Sequence, residues 1–234
     1  MMNRFLIAIF SLMALAMPTI AIASTFAEVV VKCPFDGKEF KTVESMSGTR
    51  FGTYLDLKPY GPIAAPWPLA KCPSNGFVIF KNEFSKVEIA QLRDYVEGPI
   101  YQTLQRSETN YYLAAQLKGY LQHPQTEVAY TLLMATWEAK VGQQYQRYAS
   151  EALEAYKRAL EKPYKDQDLW VSDQFIAAEL ERRLGQYEAA KTRLDSLSGR
   201  PEVKSGPFHD VLELQLQLVK AKDSEAHLLK GKSK

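Results

Sequence analysis

The apolar positions change their period near residue 83, and that change divides the chain. Before it they come in short β-branched or aromatic runs. Residues 28–32 (Glu-Val-Val-Val-Lys) have the composition of a strand. Residues 38–44 are expected to be its hairpin partner, and 76–81 (Gly-Phe-Val-Ile-Phe-Lys) read as a further strand. Between them, 45–68 is rich in Gly, Pro, Ser and aromatics, including Tyr60-Gly61-Pro62 and Pro66-Trp67-Pro68. Proline cannot donate to a ladder and glycine releases the backbone, so this stretch is expected to be loop. Residues 24–82 thus form a β-rich unit too small to carry a large core unaided.

From Ser85 the texture is helical. Ser85-Lys86-Val87-Glu88 is a capping-box pattern, and Val87, Leu92, Tyr95 and Val96 follow at helical spacing. Further helices are expected at about 108–122, 125–142, 145–161, 167–184, 187–197 and 207–228. His123-Pro124, Gly142, Lys162-Pro163, Gly185 and Gly199-Arg200-Pro201 mark their ends. Short connections between helices of this length imply antiparallel neighbours. Leu184-Gly185-Gln186-Tyr187-Glu188-Ala189-Ala190 matches the turn and second helix of a tetratricopeptide repeat, and Ala152, Tyr156, Ala159 and Pro163 fit a second such helix. The expected fold is mainly α: a tetratricopeptide-like array of helical hairpins over 83–228, behind the small β-rich head, with a basic tail at 229–234. An ordinary helical bundle is the alternative, because at least three repeats are normally needed.

The first 23 residues read differently from the rest. Arg4 supplies a positive start, 5–16 are apolar except for Ser11, Pro18 breaks the run, and Ala21-Ile22-Ala23 offers small residues for cleavage. That is the order of a secretory signal peptide, with cleavage expected after Ala23. An uncleaved anchor is the other reading, since 5–22 is nearly long enough to span a bilayer. No other segment looks transmembrane, so a periplasmic or secreted protein with no integral membrane segment after cleavage is expected. The net charge is only +2. No basic patch interleaved with aromatics appears, so a nucleic-acid partner is not expected. Lys230, Lys232 and Lys234 make a short tail that is either solvated or in touch with an anionic surface.

Catalytic patterns are missing. There is no Gly-x-Ser-x-Gly elbow, phosphate-binding Gly-rich loop or His-Glu-x-x-His pair, and Gly48-Thr49-Arg50-Phe51-Gly52 lacks nucleotide-binding spacing. His123 and His209 fall at helix ends, and the pairs Glu151/Glu154 and Glu179/Glu181 have basic neighbours and read as solvated helix faces. An enzyme is therefore not expected, nor a cofactor. The dense aromatics, from Tyr111 and Tyr112 through Tyr120, Tyr130, Trp137, Tyr145, Tyr148 and Tyr156 to Trp170, either pack between helices or line a groove for a peptide or glycan. The most specific chemistry lies in the head. Cys33-Pro34-Phe35-Asp36-Gly37 and Cys72-Pro73-Ser74-Asn75-Gly76 hold the only two cysteines, and each reads as half of a Cys-Pro-x-Cys-Gly zinc knuckle without its second cysteine.

With Lys32-Cys33-Pro34-Phe35-Asp36-Gly37-Lys38-Glu39-Phe40, Lys71-Cys72-Pro73-Ser74-Asn75-Gly76-Phe77, and the helical stretch from Phe175 to Ala190, the chain resembles the bacterial domain-of-unknown-function family numbered 2225. The resemblance covers about residues 28–198 and implies a zinc-ribbon-like head followed by tetratricopeptide-like helices. It carries no activity. Where the family pattern has its second and fourth cysteines, this chain has Asp36 and Asn75. Structural zinc sites prefer Cys and His, and no histidine is close in sequence to either knuckle. In an intact ribbon, sulfurs about 2.3 Å from one metal lie roughly 3.8 Å apart by tetrahedral geometry. The resemblance therefore implies that Cys33 and Cys72 need little movement to form a disulfide, and export places them where disulfides persist. Residual zinc binding by Cys33, Asp36 and Cys72, or free redox-active thiols, remain the alternatives. The function expected is a non-enzymatic interaction module with a protein or peptide partner in the cell envelope. A zinc-binding or thiol-redox protein is the second reading.

Overall fold

A computed structural model describes residues 24–139, 142–204, 206 and 208–229. The expected signal peptide and the lysines of the tail lie outside the described residues. The head consists of three separate two-stranded antiparallel ladders. Strand β1 (Thr25–Lys32) pairs with β2 (Glu39–Ser47), with Val30 opposite Lys41 and Lys32 opposite Glu39. Strand β3 (Gly52–Thr53) pairs with β4 (Pro59–Tyr60), and β5 (Ala70–Lys71) with β6 (Val78–Ile79). The loop expected at 45–68 therefore contains the end of β2 and a short hairpin. The strand expected at 76–81 shrinks to two residues, because Gly76 is a turn residue at φ +74° and Phe77 closes that turn on Cys72.

Ser85 and Glu88 form the capping box of α1 (Lys86–Glu97): Glu88 N–H donates to Ser85 Oγ at 3.2 Å and Ser85 N–H to Glu88 Oε2 at 2.8 Å. Lys81 and these Ser85 bonds hold the Glu88 carboxyl at about 2. Gly98, in extended backbone, ends α1, and Pro99 opens α2 (Pro99–Ser107) at a position where its missing N–H is harmless. Helix α2 was not expected from the sequence; it is short, and its core-facing side consists of Tyr101 and Leu104 alone. Helices α3 (Asn110–Tyr120), α4 (Gln125–Glu138), α5 (Gln143–Leu160), α6 (Gln167–Arg183) and α7 (Tyr187–Leu197) follow where the pattern places them, each packed on the one before it. Gly185, at φ +75°, ends α6: its own N–H reaches Arg182 O and that of Gln186 reaches Glu181 O, a Schellman closure. Ala152, Tyr156, Ala159 and Ala190 are all buried.

A single turn, α8 (Pro201–Lys204), leads to α9 (His209–Lys220), which packs against α6 and α7. Its expected extent to 228 is corrected to Lys220. Lys222 adopts φ +51°, and the N–H groups of Lys222 and Asp223 close on Val219 O and Leu218 O. A lysine in the left-handed region stops the helix without the Gly or Pro that would announce it. Residues 223–229 instead form an extended strap that returns to the head, with Leu55 N–H donating to His227 O at 2.9 Å and Leu229 N–H to Thr53 O at 2.8 Å.

Head and helices share a core. Cys33, Cys72, Phe77 and Val78 pack with Leu92, Val96, Tyr101, Leu113, Ala114 and Leu117 of α1, α2 and α3. The head is held by that shared surface, which answers its small size.

Candidate functional site

The two half-knuckles have the same backbone. Cys33 N–H donates to Lys38 O and Gly37 N–H to Cys33 O, while Cys72 N–H donates to Phe77 O and Gly76 N–H to Cys72 O, all within 2.8–2.9 Å. Gly37 and Gly76 both take positive φ, at +71° and +74°, which an L side chain adopts only with strain. The residues in place of the second cysteines are part of this geometry. Asp36 Oδ1 accepts from Lys38 N–H at 3.1 Å and Asn75 Oδ1 from Phe77 N–H at 3.0 Å. Each is an Asx turn, a side chain closing a backbone turn by itself. The Lys38 backbone bond holds the Asp36 carboxyl below its usual range, and Ser74 in the opposite turn adds to this.

Cys33 and Cys72 are joined by a disulfide with Cα atoms 5.6 Å apart, a normal separation. Both residues are 1% exposed, so an attacking thiolate has no approach to either sulfur. Asp36 faces no thiolate, because the two sulfurs are bonded to each other. Among the described residues no group of three or more His, Cys, Asp or Glu is placed to hold a metal. His123 pairs with Glu127 at 3.0 Å, His227 pairs with Asp223 at 2.8 Å, and His209 lies in the first turn of α9.

Two concave surfaces lie elsewhere. The first is a groove of about 500 Å³ across α1, α3, α4 and α5. Its floor is Ala115, Gly119, Val128 and Leu132. Ala115 and Gly119 are one helical turn apart on α3, and their small size leaves the hollow. Tyr95 and Tyr120 stack at 4.6 Å along one edge, while Glu151, Glu154 and Arg158 of α5 form another. Of the aromatics noted in the sequence, Tyr111, Tyr112, Tyr148 and Tyr156 are buried in the helical core, whereas Tyr120 and Tyr130 are exposed.

The second is a cavity of about 430 Å³ where head, helices and strap meet. The β3–β4 turn forms a finger that buries Leu55 and places Asp56 in the cavity wall, with Leu57 at φ +65° and its ends tied by the Tyr54–Lys58 backbone bond. Burial pushes the Asp56 carboxyl up, and its bond from Lys58 N–H and the charge of Arg183 only partly offset this. Lys58 Nζ donates to Trp137 O at 3.2 Å, capping the end of α4. Arg183 lies over the Tyr145 ring at 5.0 Å, and burial pushes that phenol up to about 12.

Behind the cavity, Arg182 is fully buried. It binds both oxygens of Glu179, at 2.9 and 2.6 Å, and reaches the strap at Asp223 O and, at 2.8 Å, Glu225 O. This corrects the reading of Glu179 and Glu181 as a solvated face: they are 1% and 2% exposed. Helix α6 is central, with α5, α7 and α9 packed around it, so Glu179 and Glu181 find their cations, Arg182 and Arg193, inside the protein. Sequence reasoning missed the finger as well. The available signal was Leu55-Asp56-Leu57, two large apolar residues in an otherwise loop-like stretch.

Neither the curated proteins nor the solved structures yield a match to this chain. A family model does match residues 27–217, a span that includes both half-knuckles and the helices from α1 to most of α9. The chain belongs to that family, the uncharacterized proteins conserved in bacteria grouped as DUF2225.

Proposed function

We propose that the protein is an exported, non-enzymatic interaction module of the cell envelope, and that the groove across α3, α4 and α5 seats a segment of a partner protein. The leader-like sequence at 1–23 supports export, and a disulfide belongs in an oxidising compartment. The observation that carries the binding role is the groove itself: a floor of small and apolar residues beside the exposed Tyr120, which stacks on the half-buried Tyr95. Tyrosine offers a large, stiff contact area with a polar tip, the chemistry of interface anchors. Two carboxylates and one guanidinium on the α5 edge fit an apolar anchor flanked by a basic residue. In this reading the helices form tetratricopeptide-like hairpins that present the groove, and the stapled head fixes α1 and hence Tyr95.

Gly119 allows a clean test. A Cβ there meets no atom within 4 Å, and Gly119 is exposed in the last turn of α3 at an ordinary helical position, where replacing glycine does not disfavour the helix. Gly119→Trp is therefore expected to leave the unfolding midpoint unchanged or higher while filling the groove. A partner captured from envelope extracts by the wild-type protein should be lost with this variant. Equal capture by both proteins would rule the groove out.

A further inference from the structure

The cavity under the strap is separate from the groove, and its wall is chemically specific. Among the described residues four charged side chains line it, Asp56, Glu225, Lys58 and Arg183, so the wall carries both signs. Lys58 is engaged by the end of α4. The Arg183 guanidinium is not engaged in this way. Among the described residues it makes no hydrogen bond and no ion pair within 4.0 Å, and its Nε is buried without a partner. Asp56, 8% exposed, lies in the same wall without forming an ion pair with it. A second lining residue, Trp137, also has a buried indole N–H with no partner. A buried donor left unpaired is unfavourable, so a ligand that accepts from it is favoured.

Helix α5 adds to the positive side. Its N-cap, Gly142, gives no side-chain cap, and Gly142, Tyr145 and Gln146 line the cavity, so the first turn of an 18-residue helix with unsatisfied N–H groups faces it. Asp56, buried in the same wall, is the acidic group that accompanies these donors. Tyr54, Trp137 and Tyr145 supply aromatic surfaces in a lining that is otherwise largely polar.

We propose that this cavity binds an amino-acid zwitterion. The ligand carboxylate is taken by Arg183 and the first turn of α5, its ammonium by Asp56, and its side chain by the aromatic walls. Charge-assisted bonds at both ends select ligands carrying both charges over those carrying one. The strap, which closes one side, lies beyond the residues matched by the family.

Calorimetric titration of the purified protein with the L-amino acids, with glycine-containing dipeptides, and with acetate and methylamine as single-charge probes tests this. At least one zwitterion should bind with a Kd of about 1 mM or tighter, and at least about tenfold more tightly than either single-charge probe. Whether free amino acids or dipeptides bind identifies the source of the zwitterion. Asp56→Asn should weaken that binding at least about tenfold, by loss of one charge-assisted contact. If this variant fails to fold, Ser224→Trp fills the cavity from the strap without altering the finger, and should abolish binding. No saturable binding by any zwitterion would overturn the proposal. So would equal binding of acetate, or unchanged binding in folded Asp56→Asn or Ser224→Trp.

Discussion

Replacing Arg182 with leucine is expected to lower the unfolding free energy by about 3–5 kcal/mol, the cost of stranding one member of a buried ion pair. Arg182 is fully buried, and Glu179, 1% exposed, depends on it for both carboxylate oxygens. Burial already pushes the Glu179 carboxyl up, and the guanidinium is the main opposing influence. The same side chain binds two strap carbonyls, so its loss also frees residues 223–229 from α6. Urea denaturation checks the size of the effect. A second variant separates the buried charge from the lost packing. Arg182→Leu combined with Glu179→Leu removes both charges, and an apolar replacement of a buried pair is often close to neutral. The double variant should therefore recover most of the loss. If the single variant costs under about 1 kcal/mol, as an exposed pair would, the buried position of this network is wrong.

Loss of the disulfide is the second large effect. Cys33→Ala with Cys72→Ala removes a link across 39 positions, which the chain-entropy model values at roughly 3–4 kcal/mol. The sulfurs also fill space between the head and α1–α3, so the alanines leave a void that adds to the cost. The variant is expected to retain the helices while the head loosens, because α3 to α6 have their own cluster of buried residues. Reductant in denaturant should lower the wild-type midpoint toward that of the variant, and a metal chelator should leave it unchanged. A midpoint lowered by the chelator and indifferent to reductant would instead restore the zinc reading of Cys33, Asp36 and Cys72.

These two effects also show what the sequence made legible. The helical period located α3 to α7 to within a few residues, since each has an apolar face against a neighbour and ends at a glycine, a proline or a cap. The half-knuckles were recognisable because Cys-Pro and the following glycine impose one turn geometry wherever they occur. What escaped was set by contacts remote in sequence. Glu179 and Arg182, three residues apart, look like any surface pair on a helix, and only the surrounding α5, α7, α9 and strap bury them. The strap was read as helix because nothing local forbids Lys222 from continuing α9. Its course is fixed by backbone bonds to Thr53 and Leu55, more than 160 positions earlier. Asp36 and Asn75 looked like lost ligands, yet they complete their turns through backbone N–H groups, which the spacing alone does not reveal.

The central claim is that the groove beside Tyr120 seats a partner segment. A photo-crosslinking phenylalanine analogue at position 120, with Lys191 on exposed α7 as the control position, tests it most directly in intact cells. The account predicts one discrete protein adduct from position 120, none from 191, and loss of that adduct when Gly119→Trp is present. No adduct from 120, or the same adducts from both positions, would contradict it.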